Sequence, residues 1–118
     1  KKELLKSNKL VNGVNTIVSS IDVSPRLLKN ISFELIKDAK NLFLVLATVL
    51  DGKFILNMGI SKDLIKNKNW KASELINNFL KDIDAAGGGQ DFFASASGSN
   101  VDNLDIILSK INSFLKKN

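Results

Sequence analysis

Three consecutive glycines, Gly87-Gly88-Gly89, followed by Gln90, are the most distinctive residues in this 118-residue chain. Glycine tolerates positive φ and lets another molecule approach backbone N–H groups closely, as phosphate-binding loops do. The order of the neighbouring segments argues against such a loop. A P-loop or dinucleotide fingerprint runs strand, glycines, helix, so that the helix N-terminus faces the anion. Here a helical pattern precedes the glycines, a strand-like segment follows them, and no Lys-Ser or Lys-Thr pair comes after. A helix C-cap would need only one glycine. Three of them, next to the small residues Ala94, Ser95, Ala96 and Ser97, point to a tight turn and a surface where something packs against backbone.

Other chemistry is sparse. Cys and His are both absent, which removes thiol nucleophiles, disulfides, the usual zinc sites and imidazole acid–base catalysis. Asp82 with Asp84, and Asp102 with Asp105, read as solvated helix charges rather than an acid–base or metal pair. The serines have no evident base to activate them. A basic segment carries Lys62, Lys66, Lys68 and Lys71 around Asp63 and beside Trp70. Lysines neutralise phosphates without reading sequence. Trp70 reads as a partly buried anchor at a helix start before it reads as a stacking platform. The net charge of +5 suits an anionic partner, yet sixteen lysines and fourteen asparagines beside many isoleucines look like a general bias of composition. Charge alone therefore selects no partner.

The elements that would position these residues follow from periodicity. One domain fits the length, and no apolar run approaches the ~18 residues of a membrane span. Val14 to Asp22 is β-branched and reads as a strand. Ser24 and Pro25 mark a helix start, and Leu27, Leu28, Ile31, Leu35 and Ala39 predict a helix over 25–40. Leu42 to Leu50 is apolar throughout and predicts a central strand, joined by Asp51-Gly52 to an antiparallel partner over Lys53 to Ile60. A charged connection leads to Trp70. Ala72, Leu75, Ile76, Phe79, Leu80 and Ile83 then share one helical face. Asp91 to Ser97 reads as a strand. Leu104, Ile107, Leu108, Ile111 and Leu115 give a last helix with Asp102 near its start and Lys116-Lys117 at its end. The expected class is α+β: a mixed β-sheet flanked by helices, in the order (α)-β-α-β-β-α-β-α, the first helix being the end of a longer one over Lys1 to Lys9. A chain opening on Lys1-Lys2 reads as a piece of a longer protein.

Three motifs in series carry a family likeness: Gly59-Ile60-Ser61-Lys62-Asp63-Leu64, then Lys71-Ala72-Ser73-Glu74-Leu75-Ile76, then Gly87-Gly88-Gly89-Gln90-Asp91-Phe92-Phe93-Ala94-Ser95-Ala96-Ser97-Gly98. With the hairpin 42–60 and Val11-Asn12-Gly13-Val14, the chain resembles the DHH-associated C-terminal globular domain of alanyl-tRNA synthetases over nearly its whole length. DHH phosphoesterases carry the same domain type, with a histidine after the glycines that helps hold substrate phosphate. Gln90 stands there in this chain and is similar to the synthetase branch. Asp91 replaces a common proline, and only three glycines follow Asp84-Ala85-Ala86 where synthetases often have a longer run.

The resemblance implies a non-catalytic role within an ATP-dependent alanine–tRNA ligase. Residues 10–118 would be the domain that holds the outer corner of tRNA(Ala) during alanylation and editing. Residues 1–9 would end a helical linker that also supports homodimerisation. The RNA contacts it implies fall on Lys62, Lys66, Lys68, Lys71, Gly87, Gly88, Gly89 and Gln90. No cofactor is implied for these residues. ATP with Mg, and Zn in the editing domain, would belong to the upstream catalytic and editing domains, the domain's other partners. A cytoplasmic location without a membrane partner is expected. The competing readings are the substrate-binding half of a DHH phosphoesterase or exonuclease, and an oligomerisation module.

Overall fold

The computed structural model describes residues 9–117, so the helix expected over Lys1 to Lys9 lies almost wholly outside the described residues. Its last residue, Lys9, opens a strand instead. The elements are β1 (Lys9–Val11), β2 (Val14–Ser20), α1 (Pro25–Ile36), β3 (Leu42–Leu50), β4 (Lys53–Ile60), α2 (Lys62–Lys68), α3 (Ala72–Phe79), β5 (Ala86–Gly89), β6 (Phe93–Gly98) and α4 (Asp102–Lys117). The six strands form one mixed sheet in the order β1-β2-β3-β4-β6-β5, in which only β2 and β3 run parallel. The α+β class and the mixed sheet are as the sequence predicts.

Burial on both faces explains the apolar run of β3 from Leu42 to Thr48, while Val49 and Leu50 at its end are exposed. Leu42, Leu44 and Leu46 join Ile17, Leu28 and Ile36 under α1. Phe43, Val45 and Ala47 face the opposite side, where they pack with Leu64, Ile76, Phe79, Ile107 and Ile111 from the other three helices. Trp70 is only 7% exposed, with its ring edge-on to Phe43 at 5.6 Å and tilted against Phe114 at 5.3 Å, which makes it a core anchor.

Several elements differ from expectation for local reasons. Asn12-Gly13 forms a two-residue hairpin with φ of 50° and 82°, which pairs β1 with β2, as Asp51-Gly52 does for β3 and β4. The Asn12 amide donates to the carbonyls of Leu115 and Lys116, so this hairpin caps the end of α4. The expected helix over 25–40 stops at Ile36. The helix from Ala72 stops at Phe79 rather than near Ile83, and Asp82 has a φ of 65°. Leu80 and Ile83 still reach the core from this irregular stretch, which is why their spacing imitated a longer helix. Asp82 and Asp84 are consequently loop residues and not helix charges. The charged connection contains α2, whose start is held by Asp63: both carboxylate oxygens accept the backbone N–H of Asn41, at 3.1 and 3.0 Å.

The Ser61 hydroxyl, and then the Asn41 N–H, hold the Asp63 carboxyl below its ordinary range, against the opposing effect of desolvation. A depressed folded pKa gives stability that is complete above the unfolded carboxylate pKa and is lost as pH falls through the folded one. Asp63→Asn should therefore lower stability at neutral pH by about 1 kcal/mol, a modest value for a hydrogen bond to a partly exposed charge. Denaturant titrations from pH 7 down to pH 3 should show the gap between the two proteins closing at the acid end.

Candidate nucleic-acid interface

The glycine run is not a turn. Ala86 to Gly89 form the edge strand β5, antiparallel to β6, and the turn follows at Gln90-Asp91-Phe92. This turn is tied to the start of α3, where Ala72 N–H donates to the Asp91 carbonyl at 2.8 Å and Ser73 N–H to the Gln90 carbonyl at 3.1 Å. Lys71 precedes that helix and provides no side-chain cap, so the two carbonyls satisfy donors that would otherwise be orphaned. The positive end of the nearest helix dipole is thereby occupied by protein oxygens, which rules it out as an anion cradle.

The three glycines have different surroundings. A Cβ on Gly87 would fall 2.8 Å from Leu80 Cδ1 and 2.8 Å from the Ser95 carbonyl oxygen. One on Gly89 would lie 2.5 Å from the Ala94 Cα and from the Phe93 carbonyl oxygen. One on Gly88 would meet nothing within 4 Å. Two glycines are thus demanded by packing, and one opens onto free space.

That space is a groove of about 560 Å³ between α1 and the β5–β6 hairpin. Lys29, Asn30, Phe33 and Glu34 form one wall, and Gly88, Gly89, Gln90, Phe92, Phe93 and Ser95 form the floor and the opposite wall. The wall from α1 exists because Leu28, Ser32 and Ile36 turn to the sheet and leave the 29-33-37 row beside it. Ser32 is tolerated in the core row because its hydroxyl donates to the Leu28 carbonyl at 2.7 Å. Gly59 permits the close approach of α1, since a Cβ there would lie 2.9 Å from Ile36. Phe33, 43% exposed, meets Phe92 and Phe93 edge-on at 6.5 and 6.3 Å. A smaller hollow of about 210 Å³ continues past Phe33 and Phe92 to Lys37 and Lys62.

Of the residues singled out in the sequence, Gly88, Gly89, Gln90 and Lys62 meet along this surface. Gly87 is in the same strand but turns towards Leu80. Lys71 lies beside the tied turn, while Lys66 and Lys68 are farther along α2, with the Lys68 ammonium 5.8 Å from the Trp70 ring centroid. The sequence reading missed Lys29, Phe33, Lys37, Phe92 and Phe93. One signal was available: Phe33 is an aromatic outside the apolar stripe of its helix. Phe92 lies in the turn before β6, so strand alternation does not separate it from Phe93, and both rings meet Phe33.

A DHHA1 domain model matches residues 13–117, and the chain belongs to this family. It is 36% identical over 116 residues to the alanine–tRNA ligase of Christiangramia forsetii, covering 98% of this chain and 13% of that protein. It is also 36% identical over 112 residues to the Bacteroides fragilis ligase, covering 94% and 13%. The chain thus spans about an eighth of the curated relatives it matches. Its fold is similar to the crystal structure of the C-Ala domain from Aquifex aeolicus alanyl-tRNA synthetase, with a TM-score of 0.79 at 21% identity over 92% of this chain and 97% of that one. A DHH-domain member of the s1p family of ribosomal proteins is a more distant likeness, with a TM-score of 0.52 at 16% identity, covering 93% of this chain and 29% of that one.

The glycine geometry predicts an asymmetric substitution series. Gly87→Ala and Gly89→Ala should each destabilise the domain by about 1–3 kcal/mol through overpacking. Gly88→Ala should stay within about 0.5 kcal/mol of the parent. Urea titrations of the three variants would check both statements.

Proposed function

We propose that the chain is the C-terminal tRNA-binding domain of an alanine–tRNA ligase, holding tRNA(Ala) while upstream domains of the same protein perform ATP-dependent alanylation and editing. The observation that carries this reading is the groove: the exposed ring of Phe33 with half-buried Phe92 and Phe93 beside an open glycine backbone, and Lys29, Lys37 and Lys62 along its rim. Aromatic faces and lysine ammoniums are the combination that binds RNA through bases and phosphates. The names of the relatives support the ligase as the parent.

Lys62, Lys66, Lys68 and Lys71 supply phosphate contacts along α2 and before α3. Gly88, Gly89 and Gln90 offer close approach at the groove, and Gly87 supports the strand that carries them. The domain binds no cofactor in this reading. ATP with Mg, and the editing Zn, belong to the upstream domains, and homodimerisation to the helical linker expected ahead of β1. The location that follows is the cytoplasm, where tRNA is charged. Among the described residues no helix is long and apolar enough to cross a membrane.

Titrating the isolated domain with tRNA(Ala) at several salt concentrations tests the proposal. The three rim lysines alone would contribute about 20- to 40-fold to the fall in affinity between about 50 and 200 mM salt, and Lys66, Lys68 and Lys71 would add to it. Replacing Lys29, Lys37 and Lys62 together by Gln should remove that share and make the remaining salt dependence shallower. In the full ligase, Lys66→Glu with Lys68→Glu should weaken tRNA binding and leave ATP-dependent alanine activation unchanged. Binding without salt dependence, or no binding, would overturn the reading.

A further inference from the structure

The floor of the groove contains a polar pair whose arrangement specifies what it accepts. Leu46, Asn57, Ser95 and Gly88 are neighbours across four successive strands, all on the α1 side of the sheet. Leu46 lies under α1, and Gly88 lies in the open groove. Asn57 sits between them, 2% exposed, and its side chain reaches towards the groove: its Oδ1 accepts the Ser95 hydroxyl proton, with the oxygens 2.7 Å apart. Asn57 Nδ2 is buried and has no hydrogen-bond partner. An unpartnered buried amide is destabilising, and a leucine in this row would avoid the penalty.

We propose that Asn57 is a positioning residue for Ser95, and that the groove reads the N–H edge of one unpaired nucleobase. Ser95 has a single hydroxyl proton, and Asn57 takes it. Ser95 Oγ therefore presents only lone pairs to the groove. Glu34 on the wall is likewise an acceptor, its carboxylate 3.3 Å from the Lys37 ammonium. Two acceptors repel a phosphate oxygen and attract N–H groups, so the base occupies the floor and its phosphates lie at the rim lysines. The rings of Phe33 and Phe93, 6.3 Å apart and nearly perpendicular, give a planar heterocycle an apolar wall. A groove of about 560 Å³ has room for one nucleotide. In an RNA duplex the Watson–Crick N–H groups are already committed, and the amino N–H of adenine or cytosine that pairing leaves free lies in a deep, narrow major groove where Ser95 would not reach it. The groove consequently prefers an unpaired base to a paired one.

The inference rests on the RNA-binding reading, and its test separates the two. The isolated domain is suitable, because it has its own sheet and core and a C-Ala domain of the same fold has been crystallised as such. Three labelled probes of equal length are titrated: a single-stranded oligoadenosine, the same oligomer built from N6,N6-dimethyladenosine, and duplex RNA. The oligoadenosine should bind about tenfold tighter than either of the others, the value of one well-made hydrogen bond. Ser95→Ala should abolish this preference and keep the salt dependence, and Ser95→Thr, which restores a hydroxyl, should recover it. Asn57→Leu should also lose the preference while its melting temperature stays level or rises, an outcome that a purely structural role for Asn57 would not produce. Where Ser95→Ala fails to fold, Asn57→Leu carries the test. Salt-sensitive RNA binding with equal affinity for all three probes, or a preference unchanged in Asn57→Leu, would overturn the base-reading proposal and leave the tRNA-binding reading standing. Loss of RNA binding altogether in the parent domain would overturn both.

Discussion

The groove depends on one pair of hydrogen bonds, from the first two N–H groups of α3 to the carbonyls of Asp91 and Gln90. A helix start needs acceptors, and a four-residue glycine-rich edge strand needs something to fix its far end. Each supplies what the other lacks. With the turn tied to α3, β5 stays against β6, Phe92 and Phe93 are held opposite Phe33, and Gly88 faces the space between them. The same bonds decide the chemistry of the surface. A helix N-terminus that already holds two carbonyl oxygens does not attract a phosphate, so the anionic part of any ligand is left to lysine side chains. Glycines that resembled a phosphate loop in sequence work here as part of a shaped, largely uncharged floor.

The sheet sets the limits within which this happens. Its central strand is buried on both faces and makes the core insensitive to detail at the margins. Three helices cover one face, while α1 covers only part of the other, over β3 and the adjoining part of β4. Because the lone helix stops short of β6 and β5, their small residues are left open without an exposed apolar sheet. Ser95, Ser97 and Gly88 can face solvent at little cost, and Ala94 and Ala96 face inward.

How much of this was legible in the sequence depended on whether the signal was local. The run Leu42 to Leu50 and the Asp51-Gly52 turn specify a buried hairpin on their own. Strand β1 also had its signal, Asn12-Gly13, but three residues beside a lysine-rich start resemble a helix end until the turn is given priority. Strand β5 could not be read from propensity at all, because glycine is a poor strand former and only the hydrogen bonds to β6 hold it extended. The end of α3 was hidden by Leu80 and Ile83, which reach the core from a non-helical stretch. The groove was hidden most thoroughly. Phe33 and Ser95 are far apart in the chain, and their meeting is set by Gly59 letting α1 settle close to β4, a tertiary fact that no spacing encodes.

The unequal surroundings of the three glycines also bear on how such a sequence could drift over time. Gly87 and Gly89 answer to Leu80, Ala94 and the backbone of β6, so either could change only together with those neighbours. Gly88 answers to nothing inside the protein. A run that looks like one motif is therefore two kinds of position interleaved: an outer pair inherited with the architecture, and a middle residue free to follow whatever molecule the groove is asked to hold. Lineages that change their ligand would record it at the middle position first.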